Sequence, residues 1–465
     1  MSDGDEARTI ARVETFVFVL ASVVVSLIGV AIRSGHRSVP PRTRAADWLA
    51  AAEACGLQGV STTFDGRERR LHGRRGDIAV SLSASVFHKN SGTKVRFQGL
   101  VPWLEVSGRP EGLRLLGGTR GLTLGDAAFD DAFDVRGQRV GVQALFGSEV
   151  RRCLAEAFVE HDGPGADLVA LRAGKLIAQV DDGAPGTLAP RLTALLGSLL
   201  TACAGLRATD GFEARLAGNA RHDPQPSFRL RCLEVLLQER PEHPATADAL
   251  RTALADSDGG VRLTAALASP AEGRTVLLEV ARDDASSDAV ASRALSLVGA
   301  SIDGVELERI LAVALGAGKE ATVVACLEAL AREGARHVPA IVRVLDSDAA
   351  PRAAAAARAL GATATAHAAP ALVRALAHAD AAVREAAASA LGRVGANVAD
   401  VLALRQAEAQ HAWDGAFLRA ARGAIASVQS RLVGADRGQL SVAPAAGEVS
   451  LAEDASGRVS PPKSE

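Results

Sequence analysis

The chain has 465 residues, 48% of them apolar and 23% charged, which is enough for two or three domains with buried cores. A formal net charge of −2 excludes the whole-molecule basic field that a dedicated nucleic-acid binder displays. The five cysteines (Cys55, Cys153, Cys203, Cys232 and Cys326) are scattered and never form a CxxC, which excludes a disulfide framework and a zinc knuckle and fits a reducing compartment.

Residues 1–12 form an N-terminal tail, and 13–32 are predicted to be a transmembrane helix. Thr15–Ile32 carries no charge, and as a helix it would span roughly 27 Å, close to the hydrocarbon thickness of a bilayer. A cleaved secretory signal is the competing reading, but its apolar run would be shorter and end in a small-residue cleavage site. Here the run leads directly into Ile32-Arg33. Arg8 and Arg12 precede the span, diluted by Asp3, Asp5 and Glu6, whereas Arg33, Arg37, Arg42 and Arg44 follow it. The positive-inside rule then places the mass of the chain in the cytoplasm. The expected location is the bacterial inner (cytoplasmic) membrane, crossed once. Arginine far outnumbers lysine and tyrosine is absent, a skew expected of a GC-rich bacterial genome.

After a linker (33–44, with Ser38–Arg44 stiffened by two prolines), residues 45–206 are predicted to form a small α+β domain. Ala45–Gly56 reads as an amphipathic helix with Trp48, Leu49 and Ala52 on one side. From Asp77 the apolar period changes to two: Ile78, Val80, Leu82, Ala84 and Val86, then Val95, Phe97, Gly99, Val101 and Trp103 after the turn Lys89–Gly92. Two alternating runs about a Gly/Asn turn make an antiparallel hairpin. A second hairpin is expected within Asp167–Val180 around Ala173-Gly174-Lys175, with helices at Gln143–Glu160 and Pro190–Leu206. Gly117–Gly121 is glycine-rich but lacks the lysine of a phosphate loop. The run Gly125-Asp126-Ala-Ala-Phe129-Asp130-Asp131-Ala-Phe133-Asp134 puts two phenylalanines four residues apart, to meet on one helical face, with Asp126 placed as a cap. Pooling of Asp126, Asp130, Asp131 and Asp134 into a cation or substrate site is the other reading of this run. The pattern is similar to uncharacterised domains of membrane-anchored bacterial proteins. Residues 207–225 read as a linker.

From 226 to 433 a helix closing on a leucine recurs at Leu236, Leu267, Leu295, Leu330, Leu360 and Leu391, with second helices closing on Leu254, Val280, Leu315, Leu345 and Leu376. Such a period means stacked units, none able to bury its apolar face alone. The joints Asp256-Ser-Asp-Gly-Gly-Val-Arg262, Asp346-Ser-Asp-Ala-Ala-Pro-Arg352 and Asp380-Ala-Ala-Val-Arg384 resemble those of HEAT repeats of the short bacterial type. Asp348 stands where it can cap a helix. The resemblance implies an α-solenoid of helical pairs. It also implies a ladder from Arg262, Arg352 and Arg384 to aspartates of adjacent repeats, and a concave face lined by the second helices. The exposed candidates there are Arg251, Glu279, Arg309, Arg343 and Arg374; Arg309, Arg343 and Arg374 would suit an acidic partner surface, and an ordinary solvated face is the other reading. Trp413–Leu432 should cap the stack.

Residues 434–465 have the composition of a disordered tail. Three copies of Gly-x-(Leu/Val)-Ser, centred on Leu440, Val449 and Val459, read either as strand-addition peptides or as duplicated low-complexity sequence without a partner. No metalloprotease, Walker, nucleophile-elbow or dinucleotide motif occurs, and His337, His367, His378 and His411 fall at repeat junctions. The expectation is therefore a membrane-anchored protein–protein scaffold without catalytic, cofactor or metal residues, whose partners are proteins and the membrane and not nucleic acid. An enzyme or ligand-binding site within 45–206, with the repeats as a targeting arm, is the alternative.

Overall fold

The computed structural model describes residues 41–85, 92–108, 121–158, 168–180, 187–207, 211–347, 349–432, 440–442 and 449–451. Thr15–Ile32, Val86 and most of the expected turn Lys89–Gly92, most of Gly117–Gly121, Asp348 and Val459 lie outside them. The chain divides into two compact units, Met1–Ala253 and Leu254–Glu465.

The first unit opens with α1 (Pro41–Ala54), which buries Trp48, Ala51 and Ala52 and leaves Leu49 46% exposed, off the face expected for it. An eight-stranded sheet follows: β1 (Gln58–Phe64), β2 (Glu68–Arg75), β3 (Ile78–Ser85), β4 (Thr93–Gln98), β5 (Glu105–Gly108), β6 (Phe133–Arg136), β7 (Leu168–Arg172) and β8 (Lys175–Val180), in the order β1-β2-β3-β4-β8-β7-β5-β6. All its pairs are antiparallel. The expected hairpins are β3–β4 and β7–β8, the latter closed by Ala173 and Gly174, both at positive φ, as a two-residue turn requires. Burial alternates along β4 and β8. Leu71, Val80, Leu82, Val95, Phe97, Leu176, Ala178 and Val169 are buried on one face, against α1 and α5 (Leu188–Gly205). Trp48 Nε1 ties α1 to β4 by donating to Thr93 Oγ1 at 3.2 Å. Alternate residues turn to the opposite face. Among the described residues α5 is the one helix long and apolar enough to cross a membrane. Leu188, Leu192, Leu195, Leu196, Leu199 and Leu200 are buried in this unit, so it serves as a core helix.

Between β5 and β7 come α2 (Ala127–Ala132), α3 (Arg139–Leu145) and α4 (Ser148–Ala157). The single helix expected over Gln143–Glu160 is thus broken at Phe146-Gly147. Within the segment read as a linker, α6 (Phe212–His222) buries Leu216, Ala217 and Ala220. It packs with α3, α7 (Pro226–Glu239) and α8 (Pro244–Ala253), so the helical pair expected to start the repeats packs within the sheet-bearing unit.

The second unit alternates first helices α9 (Gly259–Ala268), α11 (Asp288–Val298), α13 (Glu320–Arg332), α15 (Ala350–Ala362), α17 (Ala381–Val394) and α19 (Gly415–Arg431) with second helices α10 (Pro270–Arg282), α12 (Gly304–Ala317), α14 (Val338–Leu345), α16 (Ala369–Ala375) and α18 (Val398–Gln410). From α11 onward the first helices stack directly on one another, and each second helix packs on the first helix that follows it. Leu295, Leu330, Leu360 and Leu391 are buried as the repeat requires. Leu267 is 49% exposed instead; in the short α9 the inward positions fall to Val261, Ala265 and Ala266. Small residues bring α15, α17 and α19 close together. A Cβ on Gly361 would lie 2.7 Å from the Cβ of Ala390, and one on Gly392 would lie 2.9 Å from the Cα of Ala424. The tail is not wholly without structure: β9 (Leu440–Val442) and β10 (Val449–Leu451) pair antiparallel, Leu440 opposite Leu451 and Val442 opposite Val449. The first two Gly-x-(Leu/Val)-Ser copies satisfy each other's backbone.

Candidate interaction surface

The signature arginines lie inside the joints. Arg262 donates from Nη1 to the carbonyls of Asp256 and Ser257 at 2.7 and 3.0 Å, and from Nη2 to Asp283 at 2.6 Å. Arg384 repeats this at the carbonyls of His378 and Ala379, 2.9 and 2.7 Å away, and at Asp414, 2.9 Å away. In each case one guanidinium closes its own turn and grips an aspartate in the next joint, a link between adjacent repeats as the resemblance implied. Arg352 departs from it, binding Glu320 of the preceding pair through Nε at 2.8 Å. Aspartates also start the helices: Asp258, Asp303, Asp380 and Asp414 each accept from backbone N–H groups in the first turn that follows.

On the second helices, Arg309, Arg343 and Arg374 are 44%, 76% and 61% exposed at the side chain. None stands bare. Arg309 pairs with Glu306 on its own helix at 3.2 Å and with Asp284 at 3.4 Å, and hydrogen bonding to Glu306 raises its pKa. Arg343 reaches Glu308 at 3.5 Å, and Arg374 reaches Asp346 at 3.8 Å. Each cation meets a carboxylate from the preceding pair or from the joint that follows it, so an exposed ladder runs along the layer whose helices pack less directly on one another. A surface expected from sequence to be basic is therefore mixed in charge, and an acidic partner must compete with Glu306, Glu308 and Asp346. Of the other two candidates, Arg251 pairs with Asp248 in the first unit and Glu279 is exposed. Next to this set the sequence reading missed Trp413, 78% exposed beside Arg384, and Val305, 78% exposed at the start of α12. Both precede or open a helix, where no periodicity marks them.

No family model matches the chain. No curated protein matches it either. Ten chains of solved structure do match. One is the crystal structure of an engineered protein from a structural genomics consortium, 18% identical over 48% of this chain and 90% of that one, with a TM-score of 0.19. So loose a superposition carries no argument.

The aspartates of the first unit are not pooled. Asp126 caps α2 by accepting from Phe129 N and binds Arg151 at 2.8 Å. Asp130 accepts from the backbone of Leu124 and Gly125, and Asp134 accepts from Gly121 N and Arg136. Phe129 and Phe133 are buried and stack at 4.6 Å, although the helix ends at Ala132 and Phe133 opens β6. Arg151 is the organising cation: 3% exposed, it holds Asp223 in a two-toothed pair at 2.9 and 3.1 Å and lies 3.8 Å from the Phe228 ring centroid. Its pKa is raised, because the bonds to Asp223 and Asp126 outweigh the opposing effect of burial.

Two of the histidines pack at junctions, whereas His367 is exposed. His337 is buried with Nδ1 2.8 Å from Glu308, and the His411 ring stands edge-on to Trp413 and Phe417. Burial pushes the thiols of Cys203 and Cys232 far up, and that of Cys326 up to about 12, so all three are unreactive core residues. Among the described residues no group of three or more His, Cys, Asp or Glu could hold a metal.

Proposed function

We propose that this chain is a membrane-tethered scaffold that holds a protein partner on a HEAT-like solenoid. The observation that carries the reading is the regular stack of helical pairs, with Arg309, Arg343 and Arg374 exposed at matching places on successive second helices. Surface-exposed pairs of this kind contribute only about 0–1 kcal/mol each, so the fold does not depend on them and their N–H groups remain accessible to an acidic partner. Thr15–Ile32 supplies the tether by its length and lack of charge, and the basic flank after it directs the solenoid to the cytoplasm. The tail copies at Leu440 and Val449 would bind a partner's sheet edge only after β9 and β10 separate. The rival reading, a ligand site in 45–206, loses Asp126, Asp130 and Asp134 to the loops they hold together.

The test is cross-linked capture from native membranes with the full chain, compared with Arg343→Glu plus Arg374→Glu. The charge-reversed chain should melt at the wild-type temperature yet recover the partner poorly. Equal recovery by both proteins would refute the assignment of this face.

A further inference from the structure

The strand register gathers one side of the sheet into a basic plane. Residues paired directly across strands share a face. Glu68, Arg70, His72 and Arg74 of β2 therefore stand beside Ala79, Ser81, Ser83 and Ser85 of β3. Next come Lys94, Arg96 and Gln98 of β4, then Lys175, Ile177 and Gln179 of β8. Leu168, Ala170 and Arg172 of β7, Glu105 and Ser107 of β5, and Asp134 and Arg136 of β6 continue the plane, and uncharged Gln58, Ser61 and Thr63 of β1 edge it beyond β2. Among the described residues, α1 and α5 pack on the other side. Here Arg70, His72, Arg74, Lys94, Gln98, Arg172, Lys175, Ser107 and Arg136 are exposed, and most of the rest are half-buried.

The plane carries seven arginine or lysine side chains against three carboxylates, a surplus of four in a chain whose net charge is −2. Each carboxylate is already matched within the plane: Glu68 by Arg70 at 2.7 Å, Glu105 by Arg172 at 3.1 Å, and Asp134 by Arg136 at 3.0 Å. Arg96 donates to the buried Ser83 hydroxyl at 2.9 Å. Among the described residues Arg74, Lys94, Arg96 and Lys175 make up the surplus, Arg96 also lying within electrostatic reach of Glu68. Two of the five lysines in the whole chain are among them.

From this arrangement we infer that the open face of the sheet rests on the anionic surface of a lipid bilayer. The chemistry discriminates between polyanions. Single-stranded nucleic acid needs aromatic platforms for its bases, and a protein partner needs large apolar anchors. The described strands place no phenylalanine or tryptophan on this face, and its large apolar residues are Ile177 and, at the end of β7, Leu168. A broad, polar plane with spread cations suits a surface of lipid headgroups, where each cation adds about a fivefold gain in affinity. The inference rests on the tethered reading for its proximity. Pro41 follows Ile32 by nine residues, so α1 begins within about 30 Å of the bilayer even with the chain fully extended.

The full chain is to be reconstituted in nanodiscs of phosphatidylcholine, alone or with a third of the lipid replaced by phosphatidylglycerol, and its lysines labelled with an amine-reactive reagent read by mass spectrometry. Labelling of Lys94 and Lys175 should fall severalfold in the anionic discs and recover in high salt, while that of Lys319 on the second unit stays constant. In Arg74→Gln with Arg96→Gln, exposed or half-exposed positions on one face, the protection should weaken. Equal labelling in both lipids, or protection produced by added nucleic acid and not by lipid, would overturn the inference. Failure of the tether is seen separately, as protein that does not enter neutral discs; flotation of the full chain on phosphatidylglycerol vesicles at low salt then still tests the face, and no flotation would sink it.

Discussion

Gly392 gives the sharpest test of how the first helices stack. Its carbonyl accepts from Ser427 Oγ and from Arg431 Nη2, both at 2.8 Å, so α17 and α19 meet backbone against side chain at this point. In Gly392→Ala the new Cβ would lie 2.9 Å from Ala424 Cα and 3.1 Å from its Cβ. Ordinary carbon contacts are about 3.5–4.0 Å, so α19 must shift by roughly half an ångström to one ångström and strain both hydrogen bonds. Overpacking of this kind costs about 1–3 kcal/mol, against a helix-propensity gain of about 1 kcal/mol for replacing glycine by alanine. Gly423→Ala on the same α19 is the control. It is exposed, and a Cβ added there would meet nothing within 4 Å, so only the gain applies. The propensity term cancels between the two variants, and Gly423→Ala should be the more stable by about 1–3 kcal/mol in urea unfolding followed by circular dichroism. If both substitutions stabilise equally, close helix approach is not what requires glycine at 392.

Leu360→Ala empties a fully buried position between α15 and its neighbours and should cost about 2–5 kcal/mol by urea unfolding; a loss under about 1 kcal/mol would mean the stack closes around it. Arg151→Met leaves the Asp126 and Asp223 carboxylates buried without their cation and should destabilise the first unit by about 3–5 kcal/mol. Arg151→Lys should rescue little, since an ammonium cannot grip both carboxylates and lie over Phe228, and full rescue would refute the need for the fork. The Asp414 carboxyl is held below its ordinary value first by the Phe417 N–H and next by Arg384, and that of Glu320 by Arg352. Both take up protons at lower pH when folded than when unfolded, so their stabilisation is present above about pH 4 and lost as pH falls through that range. Thermal melting of the second unit should therefore weaken from about pH 5 to about pH 3, and less so in Asp414→Asn; an identical acid response in both proteins would refute the link.

What the sequence made legible was local. The β3–β4 and β7–β8 hairpins and the leucines at 295, 330, 360 and 391 follow from periodicities within one or two elements. The exposure of Leu267 was hidden because α9 is short and two adjacent alanines take its inward positions. The partners of Arg309, Arg343 and Arg374 were hidden for a different reason: the bridging carboxylates Asp284, Glu308 and Asp346 stand 25 to 35 residues away and carry no pattern of their own. The basic plane was hidden most deeply. It exists only once β8 is inserted beside β4 and β7 beside β5, and a register slip of one residue would turn every one of its cations to the other side.

The grip of Arg384 on Asp414 also decides where this array can be cut. By shape, α17 with α18 completes a unit, and a chain ended at Gln410 keeps every helical pair whole. By charge it does not, since the cut strips the carboxylate from a guanidinium that is 3% exposed and takes away the Trp413 ring beside it. The geometric repeat and the electrostatic repeat are out of step by one helix. Shortened forms of this chain will therefore hold together only if the boundary falls after a carboxylate, so that the last arginine of the series still has something to hold.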